Sequence, residues 1–145
     1  MSQLEIYSDG GASPNPGKGA WGVVLVQDGA ILKEFSGGEQ LSSNNRMELM
    51  AAIRGLCAID ENQAVVFHTD SNYVRQGITD WIKKWKANGW RTANKKPVKN
   101  QDLWEWLDDL ASRRTIEWKW VKGHSGDKWN EHVDLLVNRT REFLE

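Results

Sequence analysis

Four acidic side chains, far apart in the chain, stand where carboxylates could share a metal ion. Asp9 follows the alternating stretch Leu4-Glu5-Ile6-Tyr7-Ser8, and Asp70 closes a segment that begins Ala64-Val65-Val66-Phe67. In open α/β sheets ligands gather beyond the carboxyl ends of strands, where these two acids fall. Glu48 lies among apolar neighbours in Asn44-Asn45-Arg46-Met47-Glu48-Leu49, and Asp134 comes about two turns into the last amphipathic segment. Strand-end acids alone carry little weight in a chain with 20 acidic residues. Their surroundings add it. A charge beside an apolar run is costly unless paired, and carboxylates pressed together repel unless a cation neutralises them. Oxygen ligands suit a hard ion, magnesium (Mg2+) with manganese (Mn2+) as a substitute. Zinc would want Cys or His, and Cys57 with His68, His124 and His132 shows no zinc spacing. Several acids around two ions can cleave a phosphodiester, one ion activating water and the other stabilising the leaving oxygen.

The glycine-rich segment Asp9-Gly10-Gly11-Ala12-Ser13-Pro14-Asn15-Pro16-Gly17-Lys18-Gly19 invites a second reading, as a phosphate loop. The spacing excludes it. A Walker loop needs Gly, four residues, Gly, Lys and then a hydroxyl. Here Ala12 takes the first glycine position and Gly19 the hydroxyl position. The glycines still permit close approach of a nucleic-acid backbone.

The elements that would position the acids follow from hydrophobic periodicity. Residues 4–8 predict a strand ending at Asp9, and residues 19–27 a second. Asp28-Gly29 is a hairpin signal, with a returning strand over 31–36 that Gly37-Gly38 ends. Ser42-Ser43-Asn44-Asn45 offers N-caps to a helix over about 46–59. Its buried stripe is Leu49, Ala52, Ile53, Leu56 and Cys57. The run 64–67 predicts a central strand covered on both faces. A helix from Ser71 leads to a loop containing Gly89 and Pro97. Another helix covers about 100–110, with Leu103, Trp106, Leu107 and Leu110 on one face. Residues 115–121 alternate as a fifth strand, and roughly 128–143 form a last helix with Val133, Leu136 and Val137 inward. That order predicts an α/β fold: a mixed sheet flanked by helices, its first three strands antiparallel.

The length, 145 residues, suits one domain, and the net charge of −1 gives no global hint of a polyanionic partner. No apolar run nears the ~20 residues of a membrane span, and the N-terminus lacks a secretory pattern. A cytoplasmic location is the expectation, one cysteine excludes an internal disulfide, and a monomer without an obligate protein partner is the default. The charges are placed unevenly, however. Between Trp81 and Asn100 come Lys83, Lys84, Lys86, Arg91, Lys95, Lys96 and Lys99, with no acid among them. So dense a basic stretch is a local footprint for phosphates, and Trp81, Trp85 and Trp90 lie inside it.

Four motifs, taken in order, resemble the type 1 ribonuclease H (ribonuclease HI) family over nearly the whole chain. They are Asp9-Gly10-Gly11, Asn44-Asn45-Arg46-Met47-Glu48-Leu49, Thr69-Asp70-Ser71, and Lys122-Gly123-His124-Ser125-Gly126 through Asn130-Glu131-His132-Val133-Asp134. The resemblance implies a ribonuclease H-like α/β fold with a five-stranded mixed sheet. It implies a single catalytic domain over residues 1–145 with a basic protrusion at about 81–100. The implied activity is an endonuclease that hydrolyses the RNA strand of RNA–DNA hybrids by a two-metal-ion mechanism, leaving 5′-phosphate and 3′-hydroxyl ends. Asp9, Glu48, Asp70 and Asp134 would be the metal-binding catalytic acids, and His124 would assist proton movement or product release.

Telling RNA from DNA requires a group that senses 2′-hydroxyls. For that the resemblance points to Asn15, Asn44, Asn45 and Asn72. Ser43 and Asn100 resemble the pair that holds a DNA phosphate away from the cut, while Trp81 and Trp85, with Lys83, Lys84 and Lys86, would lie along the DNA strand. Three departures stand out. Asn72 replaces a common Gln. Val133 and Val137 replace smaller residues, which could shift the helix carrying Asp134. Ala12 leaves only its backbone to touch substrate. Two other readings are a module that clasps hybrids without cutting and a DNA-cutting or DNA-joining enzyme on the same sheet. The full set of acids argues against the first, the amides and basic stretch against the second.

Overall fold

The structure, a computed structural model, describes residues 3–92, 95–121 and 128–144. Strands β1 (Leu4–Ser13), β2 (Gly17–Gln27) and β3 (Ala30–Ser42) form an antiparallel meander. Strands β4 (Val65–Thr69) and β5 (Ile116–Trp120) extend it in parallel, giving the order β3-β2-β1-β4-β5. This is the expected mixed sheet. Asp28 and Gly29 both take positive φ, 56° and 74°, as a two-residue hairpin turn requires. β4 is buried along its whole length, as its continuous apolar run predicts.

The helices are α1 (Asn44–Cys57), α2 (Asn72–Gln76), α3 (Ile82–Ala87), α4 (Gln101–Ser112) and α5 (Lys128–Glu142). The two-residue period of a strand divides the core between the faces of the sheet. Ile6, Val23 and Leu25 join Leu49, Ile53 and Leu56 of α1 on one side. Tyr7, Val24 and Val26 join Val133 of α5 on the other. Between α2 and α3 the chain makes a π-helical turn, Gly77–Trp81, in which Ile82 N–H donates to the Gly77 carbonyl. A side chain at Gly77 would overlap the Trp104 ring. No helix among the described residues is long and apolar enough to cross a membrane.

Some sequence-based expectations need correction. β1 continues past Asp9 to Ser13, pairing Gly10 with Trp21 and Gly11 with Ala20. β3 runs through Gly37-Gly38 instead of ending there. The cause is a cross-strand neighbour: Trp21 lies opposite Gly37, and a Cβ at Gly37 would stand 2.5 Å from its ring. Cys57 is exposed, not core. It follows inward-facing Leu56 by one residue, roughly 100° around the helix. In α4 the fully buried tryptophan is Trp104, while Trp106 is 38% exposed and faces Arg54.

Candidate active site

β1 and β4 are parallel and in register with Tyr7 opposite His68. Asp9 and Asp70 each follow two residues later, so Asp9, still within β1, stands beside Asp70 at the point where β4 ends. Glu48 reaches them from α1. That helix starts where the sequence signals it, with Ser43 Oγ accepting from Arg46 N at 3.2 Å. Gly10 N donates to Glu48 Oε1 at 2.5 Å, fixing the first helical acid to the first strand. Asp9, Glu48 and Asp70 each offer a carboxylate oxygen, and these oxygens lie within 4.8 Å of one another. Asp134, on α5, is close enough to Asp9 to act on it by charge and hydrogen bonding. The structure thus brings all four predicted acids together, three of them tightly.

Crowding leaves its mark on protonation. Burial above all, opposed by a hydrogen bond from Glu48 and reinforced by Asp70 and Asp134, pushes the Asp9 carboxyl up to about 7. Burial, then the charge of Asp9, raises Glu48 well above the carboxylate range, and the Gly10 N–H only partly offsets this. An all-oxygen donor set that retains protons for want of positive charge fits a hard divalent cation, which would displace them.

A stability prediction follows. With the cluster cation-free, the folded protein holds protons that the unfolded chain releases above pH 3.8, the ordinary Asp value. The stability owed to this cluster therefore falls as pH rises from there through about 7. Added magnesium should raise the melting temperature more at pH 8 than at pH 5.5. Thermal denaturation with and without the ion, at both pH values, checks this. Equal shifts would mean the cluster does not hold the cation.

The departures noted in the sequence are accommodated. Val133 and Val137 pack over Gly22, where a Cβ would lie 3.4 and 3.1 Å from their methyls. Gly22 is the β2 partner of Asp9, so its missing side chain gives the bulkier α5 room beside the acid. Ala12 N donates to Asn44 Oδ1 at 2.7 Å, so of its backbone the carbonyl is the group left to touch substrate. Asn44 N in turn donates to Asn15 Oδ1 at 3.1 Å. Two of the predicted amides therefore tie the β1–β2 turn to the start of α1, leaving the Asn44 NH2 as the donor it can offer outward. Asn45 and Asn72 are exposed. Ser43 spends its hydroxyl oxygen on the cap.

In the basic stretch, Trp81 and Trp85 are half-buried and pack on one another and on Trp104, with ring centroids 5.8, 6.4 and 5.5 Å apart. With Tyr73, Thr92, Val98 and Lys99 they line a cavity of about 300 Å³. The lysines are not equivalent. Lys84 pairs with Asp80 at 3.3 Å and Lys86 with Asp108 at 3.0 Å, whereas Lys83 has no such acid among the described residues. His124 lies outside the described residues.

Sequence reasoning missed Arg46 and Tyr73. Arg46 sits inside a quoted motif, but its partners Asn100 and Asp102 are more than fifty positions away and give no local signal. Its guanidinium hydrogen-bonds Asp102 and holds that carboxyl below the ordinary carboxylate range.

Residues 1–142 match the model of the RNase H family. The chain belongs to the ribonuclease H family. It is 55% identical over 141 residues to the ribonuclease H of Verminephrobacter eiseniae, covering 96% of this chain and 90% of that one. Among solved structures, LC9-RNase H1, described as a type 1 RNase H with the type 2 active-site motif, matches with TM-score 0.85 and 28% identity. That match covers 98% of this chain and 73% of the other. LC11-RNase H1 in complex with an RNA/DNA hybrid shares the fold at TM-score 0.69 and 22% identity, over 97% of each chain.

Proposed function

We propose that this chain is an endonuclease that hydrolyses the RNA strand of RNA–DNA hybrids and leaves 5′-phosphate and 3′-hydroxyl ends. Magnesium, or manganese in its place, would be held by Asp9, Glu48, Asp70 and Asp134 in a two-ion arrangement. The observation that carries this reading is the meeting of carboxylates from β1, α1 and β4 within 4.8 Å, in a chain of this family. Cations bound there supply an activated water and stabilise the leaving oxygen.

The protein's own residues supply position and recognition. The Gly10 N–H orients Glu48, and the parallel pairing of β1 with β4 sets Asp9 beside Asp70. Asn15, Asn44, Asn45 and Asn72, all exposed, are the amides assigned to sense 2′-hydroxyls. Ser43 and Asn100 take a DNA phosphate, and Trp81 and Trp85 line the path of the DNA strand. His124, with an ordinary pKa of ~6.5, is assigned to proton movement or product release. The capture of LC11-RNase H1 with an RNA/DNA hybrid supports this choice of substrate class.

The test is an assay with labelled RNA–DNA hybrid, RNA duplex and DNA duplex, each with and without magnesium. Cleavage confined to the RNA strand of the hybrid, and only with the ion, supports the reading. Binding without cleavage, or cut DNA, refutes it.

The lysines give a graded prediction. Replacing Lys83, Lys84 and Lys86 together should raise KM more than it lowers kcat and flatten the salt dependence. Lys83→Ala alone should account for more of the change than Lys84→Ala, because Lys84 already has an acid beside it. Salt slopes of the single variants check this, and an unchanged slope in the triple variant would place the lysines away from phosphates.

A further inference from the structure

Asn100 opens α4 in the left-handed backbone region, φ 60° and ψ 29°, yet its side chain does not cap that helix. Its amide is held from both ends instead. Arg46 Nη1 donates to Asn100 Oδ1 at 3.4 Å, and Asn100 Nδ2 donates to Tyr73 Oη at 3.3 Å. The Tyr73 oxygen is fixed in turn, since it also accepts from Trp104 Nε1 at 3.1 Å. Arg46 is anchored by Asp102, through contacts of 3.0 and 3.4 Å, and has Glu39 3.9 Å from its Nε.

An amide has an acceptor end and a donor end, and a half-turn exchanges them. A guanidinium has donors only, so its presence selects the orientation in which the carbonyl faces Arg46 and the NH2 faces away. Tyr73 uses one hydrogen of that NH2 and leaves the second. A phosphate needs a donor, so the flipped amide would repel it. Arg46, flanked by two carboxylates, has no surplus positive charge to offer a phosphate itself.

We propose that Arg46 is a positioning residue, clamping Asn100 so that its amide presents NH2 to a nucleic-acid phosphate. The inference rests on the reading of Asn100 as a substrate phosphate contact.

The experiment is a double-mutant cycle on hybrid cleavage, with melting curves run alongside. Asn100→Ala should raise KM about fivefold with kcat little changed, the loss of one hydrogen bond to a charged group. Arg46→Ala should do about the same, and the double variant should be no worse than Asn100→Ala. Asp102→Asn, an exposed change that loosens the clamp without touching Asn100, should raise KM in the same direction. A direct Arg46–phosphate contact requires the opposite, because freeing the guanidinium from Asp102 would lower KM.

Penalties that add in the double variant, a lower KM for Asp102→Asn, or an unchanged KM for Arg46→Ala each overturn the proposal. So does an unchanged KM for Asn100→Ala, which would leave hybrid cleavage itself standing. A parent protein that fails to cut the hybrid overturns both readings.

Discussion

Asp70→Asn should lower hybrid cleavage by about 10³-fold, roughly 4 kcal/mol of transition-state stabilisation, while the metal-free protein melts no lower than the parent. The two effects have one cause. Asp70 adds negative charge to a pocket where burial already raises the Asp9 and Glu48 carboxyls, and its charge pushes both further up. An amide of the same shape removes that repulsion and also removes an oxygen that would share a cation. Initial rates at saturating magnesium, with melting curves in chelator, check both halves. A rate within tenfold of the parent would falsify the role given to Asp70, and a sharply lower melting temperature would show that its charge stabilises the fold instead.

Gly10→Ala should damage fold and activity together. A Cβ at Gly10 would overlap the Met47 carbonyl and stand 2.7 Å from Glu48 N, all of it backbone that cannot swing aside. α1 must then move off β1, and Glu48 moves with it, losing its bond from Gly10 N. Overpacking of this kind costs about 1–3 kcal/mol, and the displaced carboxylate should reduce kcat by more than about tenfold. Gly11→Ala is the control. There the nearest atom is Asn44 Oδ1 at 3.5 Å, an ordinary contact, so stability should change little. If the two variants melt alike, the tight approach of α1 to β1 at Gly10 is not what seats Glu48.

The chemistry was more legible in the sequence than the packing. Asp9 and Asp70 could be placed because each follows a stretch whose own pattern defines a strand, and their meeting then needs only that the two strands be parallel neighbours. Ser43 as a cap and Asp28-Gly29 as a turn are likewise local signals. What escaped depends on partners remote in sequence. Gly37-Gly38 looks like a strand end until Trp21 is seen lying over it from β2. Trp104 and Trp106 are indistinguishable by type, and only the fit of Trp104 against Gly77 and Tyr73 decides which is buried. The basic stretch contains no acid, yet Asp80, just before it, and Asp108, about two turns into α4, partner two of its lysines.

The widened turn at Gly77–Trp81 fixes more than the path of the chain. An α-helix advances each residue by about 100°, so one residue added to or taken from a turn rotates everything beyond it by that angle. Here the rotation is what lets Trp81 and Trp85 look inward to Trp104 while Lys83, Lys84 and Lys86 stay exposed. A chain one residue shorter across this turn could still wind a regular helix, but its indole rings would swing toward water and its ammonium groups toward the apolar floor. The phase of that helix, as much as its composition, sets which way the charge faces.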